Sequence, residues 1–271
     1  MYIRGSVTAL ALASSIAAIS ITPPAEAADL WGAREAGSIK DAPYVAPFSW
    51  TGFYVGANAG YAWGDSDYKY SQTGDYLSYD PLDLAFAHAL GSGSFSDGTF
   101  TGGAQAGYNV QTNGIVFGVE TDINSFRLSD TQSSGPSPLP VRGAMVSSAE
   151  KFSTDYLFTL RGRLGVAADR TLFYVTGGLA VSELKFSQTF THLASGTVES
   201  GSVSDVKAGW TVGGGIEYAF TSNWTAKVEY LYVDLGSVGF STKNSGFPSF
   251  GAHHEADLTA QIARVGINYK F

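Results

Sequence analysis

The chain has 271 residues, with 33 Gly, 17 Phe, 15 Tyr and 5 Trp, and only 15% of its residues are charged. It contains no Cys, which excludes disulfides, thiolate metal sites and a cysteine nucleophile. The net charge of −8 argues against a nucleic-acid partner, since phosphate binding needs a cationic surface. The length fits one large all-β domain, and many glycine and aromatic residues favour a curved sheet with aromatic girdles.

The first 27 residues have the features of a cleaved signal peptide. Arg4 supplies the positive charge, residues 9–21 form a short apolar stretch, and residues 25–27 present small side chains to a signal peptidase. We place the cleavage after Ala27, with Ala28 as the alternative. The apolar stretch is too short, and too rich in Ala and Ser, to predict a membrane-spanning helix.

Residues 28–49 show no lasting periodicity, so we predict a flexible periplasmic leader or linker there. Residues 50–271 are predicted to form a barrel, because segments of alternating apolar and polar residues recur along them. Eight such segments are residues 52–64, 100–111, 115–126, 155–166, 171–182, 206–220, 224–233 and 259–271. Each reaches the roughly 9 to 11 residues that a tilted strand needs to cross a bilayer.

Short turns are predicted at Asn113-Gly114, residues 167–170 and residues 221–223, and long polar stretches separate the other segments. Asn-Gly is a favoured pair for a two-residue hairpin. In the fifth segment both faces are largely apolar, and the outward face is predicted to hold Phe173, Val175, Leu179 and Val181.

One face of these segments is apolar and aromatic, and the other carries charge. The charged residues are Glu120, Asp122, Arg161, Arg163, Glu217, Lys227, Glu229 and Arg264. A soluble barrel would have to bury these charges in its core, which is costly unless they are paired. The sequence therefore predicts an all-β fold, an eight-stranded antiparallel transmembrane β-barrel with long outer loops and short periplasmic turns. Closure is required, because an open sheet edge in hydrocarbon leaves backbone groups unsatisfied.

The luminal charges are predicted to form two clusters. Glu120 and Asp122 are expected to meet Arg161 and Arg163, and the second cluster is Lys227, Glu229, Glu217 and Arg264. Two interpretations stay open: an ion-pair network that fills a narrow barrel, and a charge-selective pore. Each carboxylate has a basic neighbour and no candidate nucleophile, so we predict no catalytic residues and no enzymatic activity.

The remaining candidate groups are predicted to be solvated. The four histidines, His88, His192, His253 and His254, fall in predicted loops. A haem or metal site would need several of them to converge, so no cofactor-binding residues and no metal ligands are predicted. The first outer loop, residues 65–98, holds six acids: Asp65, Asp67, Asp75, Asp80, Asp83 and Asp97. The alternative for these acids is bridging by divalent ions to lipopolysaccharide.

The closing residues alternate as Val265, Ile267, Tyr269 and Phe271. This pattern resembles the terminal strand by which outer-membrane barrels are recognised for assembly. The resemblance implies the barrel-assembly machinery as a partner. A plainer interpretation is a strand that ends in an aromatic girdle.

The stretch "FSWTGFYVGANAGYAWG" at residues 48–64 resembles the opening strand of the small alphaproteobacterial outer-membrane immunogenic, porin-like surface antigens of brucellae and rhizobia. The later stretches "GGAQAGYNVQTNGIVFGVETD", "RGRLGVAADRTLFYVTGGLAV", "GWTVGGGIEYAFTSNWTAKVEYLYVDLG" and "RVGINYKF" are similar to that family in the same order. The resemblance implies an eight-stranded barrel with an antigenic outer surface. Some relatives are described as porins and others as haem-binding.

These patterns together predict a protein of the cell outer membrane. The leading hypothesis is a structural, surface-exposed barrel that contributes to envelope integrity and surface contact, with a lumen plugged by ion pairs. The alternatives are a small porin for ions or solutes, and loops that bind haem or another protein. The expected partners are outer-membrane lipid, lipopolysaccharide and the assembly machinery.

Overall fold

The computed structural model describes residues 48–271. The predicted signal peptide, and residues 28–47 of the predicted leader, lie outside the described residues. Within residues 48–271, no helix is long and apolar enough to cross a membrane.

The described residues form ten β-strands and one α-helix. The strands are β1 (Gly52–Gly74), β2 (Gly93–Thr112), β3 (Ile115–Ser125), β4 (Ser129–Pro138), β5 (Met145–Thr154), β6 (Tyr156–Ala168), β7 (Thr171–His192), β8 (Thr197–Ala219), β9 (Trp224–Lys243) and β10 (Phe250–Lys270). A 3-10 turn (Asp75–Ser78) and helix α1 (Pro81–Leu90) connect β1 to β2. Asp80 begins the helix, since its carboxylate accepts a hydrogen bond from the Leu82 N–H.

Eight of the strands pair in a closed antiparallel ring. The order around the ring is β1-β2-β3-β6-β7-β8-β9-β10, and β10 pairs with β1 to complete it. The prediction of an all-β fold is therefore confirmed, whereas the predicted count of eight strands becomes ten strands with a ring through eight.

The two extra strands, β4 and β5, form a hairpin above β3 and β6. β6 pairs with β7 between Thr171 and Val181, and β5 takes over the same neighbour between Leu184 and His192. The Phe126 N–H donates to the Asp155 carbonyl, and the Thr154 N–H donates to the Leu128 carbonyl. These hydrogen bonds hold the chain where it leaves one pairing and enters the next. β3 and β4 are thus separated only by residues 126–128, and β5 and β6 only by residue 155.

The tight turns lie where the sequence predicts them. Asn113 and Gly114 both have positive φ, 50° and 83°, as a two-residue hairpin of this kind requires. Asp169, between β6 and β7, has a φ of 51°. All three tight turns lie at the same end of the ring, and the connections β1–β2, β4–β5, β7–β8 and β9–β10 lie at the opposite end.

In the half of the ring near the tight turns, apolar side chains point outward and polar ones inward. On β1, Phe53 and Val55 are exposed, while Tyr54 and Asn58 are buried in the lumen. On β7, the predicted outward Phe173, Val175 and Leu179 are exposed and Val181 is half-buried, whereas Leu172 and Tyr174 point inward and are buried. The alternation predicted from the sequence therefore holds here, including in the fifth segment.

In the other half of the ring this pattern inverts. Along β1, Tyr68 and Tyr70 are buried inside the barrel, while Asp67 and Lys69 are exposed. The buried side chains of this half form an apolar core that includes Phe95, Phe126, Leu128, Phe152, Leu157, Leu184, Phe186, Leu231, Leu235 and Leu258. An outer surface in contact with water and a filled interior explain the inversion.

The inversion corrects the prediction of long outer loops. Residues 65–98, predicted as the first loop, contain the end of β1, the 3-10 turn, α1 and the start of β2. β7 and β8 likewise extend to His192 and back from Thr197. The strands continue because their polar outward residues and apolar inward residues still alternate, with the two faces exchanged.

Candidate functional site

Eight charged side chains meet inside the ring, and they are the eight that the sequence singles out. They are Glu120 and Asp122 on β3, Arg161 and Arg163 on β6, Glu217 on β8, Lys227 and Glu229 on β9, and Arg264 on β10. Each is between 0 and 4% exposed. Four carboxylates and four basic groups give a formal net charge of zero, so the cluster is internally compensated.

Glu120 is the centre of this luminal network. Its Oε1 lies 2.5 Å from an Arg161 guanidinium nitrogen and 2.8 Å from Lys227 Nζ. Its Oε2 accepts a hydrogen bond of 2.8 Å from the Tyr54 hydroxyl and lies 3.5 Å from Arg163. One carboxylate therefore binds groups from three strands, β1, β6 and β9.

The other three acids connect the remaining bases. Asp122 Oδ2 contacts Arg161 at 2.7 Å and Arg264 at 3.0 Å. Glu217 pairs with Arg163 at 2.6 Å, and Glu229 lies 2.5 Å from Arg264 and 3.2 Å from Arg161. Because Arg161 and Arg264 each contact acids of both predicted clusters, the structure holds one continuous network instead of two.

Neutral polar residues complete the network, and they were not singled out from the sequence. The Tyr174 hydroxyl donates to Glu229, and Thr225 and the Asn268 amide donate to Glu217 Oε1. Thr159 donates to Asp122, and Gln105 donates to Asn268. Their inward position follows from the same alternation, but a lone Tyr or Thr on a strand carries no signal that it binds a carboxylate.

Glycines make room for the long charged side chains. Gly178 stands opposite Arg161, and Gly60 stands opposite Arg264 on the neighbouring strand. A Cβ at Gly178 would lie 2.8 Å from Arg161 Cα, and one at Gly60 would lie 2.6 Å from Arg264 Cβ. An eight-stranded ring encloses only enough space for side chains. Arg161 and Arg264 therefore fit because the residue opposite each of them is a glycine.

Apolar layers enclose the network on both sides. Towards the tight turns, Trp50, Val116, Leu172 and Ala219 are buried with Tyr174 in one cluster. On the opposite side lies the apolar core described above, which begins at residues such as Leu157 and Leu231. The lumen is therefore filled by side chains at three successive levels.

The outer surface of the ring around the network is an apolar belt with aromatic borders. Val228, at 63% exposed, lies midway between Trp224 and Tyr232 on β9. Trp224 packs edge-on against Tyr269 near the tight turns, and Tyr232 packs against Trp210 at the other border. An apolar band between two aromatic girdles is the surface that a bilayer requires of a barrel.

A second polar cluster lies in the upper half of the barrel, beyond this belt. Glu199 on β8 is fully buried, and it accepts hydrogen bonds from Tyr70 (3.1 Å), Tyr76 and the Asn244 amide (3.2 Å). Burial alone would raise the pKa of Glu199, but hydrogen bonds from His192, Tyr76 and Asn244 hold it below its usual value. Tyr70, Tyr76 and Asn244 come from three different segments, so the acid ties together the top of the barrel.

Next to it, a chain of hydrogen bonds runs from β5 to β9. Glu150 accepts from the Gln188 amide at 2.9 Å, and the Gln188 oxygen lies 2.7 Å from His254 Nδ1. His254 Nε2 is 2.8 Å from the Thr242 hydroxyl. Burial raises the pKa of Glu150 despite hydrogen bonds from Ser148 and Gln188, and burial lowers the pKa of His254 to about 4.

The structure corrects the expected positions of the histidines and acids. His88 lies in α1, His192 ends β7, and His253 and His254 lie in β10 instead of in loops. His254 is 0% exposed, while adjacent His253 faces outward, as neighbouring residues of a strand must. Asp83 is also buried and accepts from the Val141 N–H, so it is no solvated loop acid. Among residues 48–271, no group of three or more His, Cys, Asp or Glu side chains is placed to hold a metal ion.

Comparison with known proteins decides the family. The family described as "Outer membrane protein beta-barrel domain" matches residues 42–271. The chain belongs to this outer-membrane β-barrel family. Its apolar belt therefore faces the lipid of the outer membrane.

Members of this family with curated names include immunogenic outer-membrane proteins. The 31 kDa outer-membrane immunogenic protein of Brucella melitensis is 40% identical over 235 residues, which is 85% of this chain and 88% of the relative. The 22 kDa outer membrane protein of Rhizobium leguminosarum is 28% identical over 86% of this chain and 83% of its own length. Among solved structures, OprG of Pseudomonas aeruginosa has a TM-score of 0.48 and 15% identity, over 82% of this chain and 96% of OprG.

The predicted assembly residues lie on the outer face of β10, at the end of the ring that carries the tight turns. Val265, Ile267 and Phe271 are 57, 44 and 67% exposed on the outside of the ring. The Phe271 N–H donates to the Phe53 carbonyl at 3.0 Å, and the Phe271 ring packs edge-on against Tyr269. Val265, Ile267, Tyr269 and Phe271 thus form one lipid-facing row of side chains where β10 pairs with β1.

Proposed function

We propose that this protein is a structural, surface-exposed barrel of the outer membrane, closed to ions and solutes, that contributes to envelope integrity and surface contact. The observation that carries this proposal is the net-neutral luminal network of eight buried charges. The network crosses the lumen, and Lys227 on β9 pairs with Glu120 on β3 at 2.8 Å. A pore of fixed selectivity instead needs charge of one sign exposed to water along its path.

The belt supports an eight-stranded transmembrane ring. From Trp224 to Tyr232 the lipid-facing residues of β9 are apolar or aromatic, and this span matches the roughly 9 to 11 residues of a tilted transmembrane strand. Outside the belt, the strands extend to the top of the barrel as a rigid wall. With the tight turns in the periplasm, the upper half of the barrel stands outside the cell, and its outer surface is polar.

The pairing of the luminal acids also supports a non-enzymatic role. Glu120 and Asp122 each contact two or more basic groups, and Glu229 contacts three. General acid–base catalysis needs a carboxyl group within reach of a substrate, whereas these acids are enclosed between two apolar layers.

Planar-bilayer recording tests the closed lumen. We expect purified wild-type protein to show no steady single-channel conductance. Arg161→Ala shortens a side chain at the centre of the network, so this variant is expected to conduct more than the wild type. Arg170→Ala is the matched control, because Arg170 lies in a periplasmic turn.

A steady wild-type conductance that Arg161→Ala or Glu120→Ala changes, and that Arg170→Ala leaves unchanged, would contradict the closed lumen and favour the porin. The structural role is tested separately by deleting the gene and measuring detergent sensitivity of the cells. Complementation by wild-type protein is expected to restore resistance, and a deletion without effect on the envelope would contradict this part.

A further inference from the structure

All four outer connections of the barrel meet at one cavity. Tyr76 and Tyr79 come from the connection between β1 and β2, Arg142 from that between β4 and β5, and Ser195 from that between β7 and β8. Phe247 comes from the connection between β9 and β10. Segments separated by up to about 170 residues along the chain thus build one concave site on the cell exterior, which is where ligand pockets are expected.

The cavity has a volume of about 220 Å³ and opens outward. Drug-sized ligands occupy pockets of roughly 300 Å³ or more. The cavity is therefore matched to a smaller molecule, of the size of a single ring with its substituents.

The floor of the cavity is rigid. The Asn244 amide donates to the Tyr76 hydroxyl at 3.1 Å and to Glu199 at 3.2 Å. Its oxygen accepts from the Gly246 and Phe247 N–H groups, so it also fixes the start of the β9–β10 connection. Buried hydrogen bonds beneath the cavity hold its walls in place before any ligand arrives, which lowers the entropic cost of binding.

Charge at the cavity favours an anion. The Arg142 guanidinium lies 3.5 Å above the Tyr79 ring, and its Nε is 3.7 Å from Asp83 Oδ2. Among the described residues, the two terminal guanidinium nitrogens have no ion-pair or hydrogen-bond partner, and the side chain is 47% exposed. No carboxylate lines the cavity itself, and the Glu199 carboxylate beneath it is occupied by hydrogen bonds from Tyr76 and Asn244. A planar guanidinium of this kind is suited to bidentate binding of a carboxylate.

The other walls favour a ring that carries hydroxyl groups. Phe247 and Phe250 offer aromatic surface for the apolar face of a ring. The Ser195 and Thr197 hydroxyls lie 2.8 Å apart on another wall and offer hydrogen bonds. These hydroxyls bond to each other, but each oxygen can accept a further hydrogen bond from a ring hydroxyl. An aromatic acid would use only the aromatic walls, whereas a sugar ring uses both kinds of surface.

We propose that this outer cavity binds a single sugar ring that carries a carboxylate, either as a free uronic acid or as the end of a glycan chain. Arg142 binds the carboxylate, Phe247 and Phe250 contact the ring, and Ser195 and Thr197 bind its hydroxyl groups. The site rests on the proposed surface exposure but not on the closed lumen, so a conducting barrel leaves it unaffected.

The test is an NMR titration of full-length protein in nanodiscs with D-glucuronate, D-glucose and benzoate. We expect saturable binding of glucuronate, and weaker binding of glucose and of benzoate, each by at least about tenfold, because each lacks one of the two interactions. Methyl β-D-glucuronoside distinguishes the sources: if it binds as well as glucuronate, a chain end fits, and if it binds less well, the free acid is the ligand.

Two variants assign the contacts. Arg142→Gln is expected to weaken glucuronate binding by at least about tenfold, while Arg127→Gln, at an exposed position between β3 and β4, is the matched control. Ser195→Ala, in an exposed connection, is expected to weaken glucuronate binding without affecting benzoate. The proposal is overturned by unsaturable glucuronate binding, by glucose or benzoate binding as tightly as glucuronate, or by an unchanged affinity in a folded Arg142→Gln variant.

Discussion

Lys227 Nζ lies 2.8 Å from Glu120 Oε1 and 2.9 Å from Glu120 Oε2, although β9 and β3 stand four strands apart in the ring of eight. The ion pair therefore joins opposite walls of the barrel. Backbone hydrogen bonds tie each strand only to its two neighbours, so a contact of this kind fixes the shape of the ring across its full width. The same ion pair also fills the lumen between these two walls.

Lys227→Met should destabilise the barrel by about 3–5 kcal/mol, because it leaves the buried carboxylate of Glu120 short of one cation. The side chain is 0% exposed, so water is not available as a substitute partner. The measurement is the free energy of unfolding from urea titrations of the protein refolded into lipid vesicles.

Lys151→Met is the matched control, since Lys151 faces outward on β5 and is exposed. Adding Glu120→Gln to Lys227→Met removes the uncompensated charge, so the double variant should recover part of the lost stability. A Lys227→Met variant as stable as Lys151→Met would show that water reaches the luminal network and solvates the Glu120 carboxylate.

The residues of this network were predictable from the sequence because the rule behind them is simple. In a transmembrane strand the lipid-facing positions exclude charge, so every charged residue of an alternating segment must point inward. That argument placed Arg161 and Glu217 in the lumen without any knowledge of the pairing. It gave no distances, and for this reason it divided one network into two clusters.

The upper half of the barrel was missed for a physical reason. Above the membrane the outer surface meets water and the interior is apolar, so the two faces of β1 exchange character beyond Trp63. A rule tuned to lipid-facing strands takes the exposed Asp67 and Lys69 as loop residues. The burial of His254 and Glu199 was not predicted for the same reason. Both residues lie in parts of β10 and β8 outside the predicted strand segments.

Val228→Arg should cost about 2–4 kcal/mol, the range for a basic residue near the bilayer midplane. Val228 is 63% exposed and lies midway between the girdle residues Trp224 and Tyr232. The readout is again the unfolding free energy in vesicles. Val206→Arg is the control: Val206 is 57% exposed and lies beyond the girdle residue Trp210 on β8, so the cost there should be about 0–1 kcal/mol. Equal costs at both sites would place the membrane boundary elsewhere.

The top of the barrel should loosen as the pH falls from about 6.5 towards 4. Burial lowers the pKa of His254 to about 4, so the folded state binds fewer protons than an open state whose histidine titrates near 6.5. Its contribution to stability is therefore complete above pH 6.5 and is lost on acidification. Hydrogen exchange of β5, β7 and β10, corrected for intrinsic rates, measures the effect.

Other groups around His254 set the controls for this experiment. Gln188 and Thr242 occupy its two ring nitrogens, and the Phe240 ring stacks on it at 4.7 Å. Glu199 favours its protonation and exposed His253 opposes it. His254→Gln should flatten the pH profile between 6.5 and 4. Burial raises the pKa of Glu150, so its protonation acts in the opposite direction, and Glu150→Gln should make the loosening at low pH steeper. A wild-type profile that does not change with pH would contradict the assignment to His254.

Phe271→Ala separates two roles of the last aromatic residue of β10. Phe271 is 67% exposed, its N–H donates to the Phe53 carbonyl, and the two rings lie 5.7 Å apart at the junction of β10 and β1. If Phe271 is recognised during assembly, Phe271→Ala should lower the outer-membrane level and slow the appearance of the heat-modifiable folded form. Phe53→Ala is the matched control, since it removes a comparable girdle aromatic, 46% exposed, from the other side of the same junction. Equal losses in the two variants would mean that Phe271 acts only through the girdle, and a level unchanged in both would exclude either role.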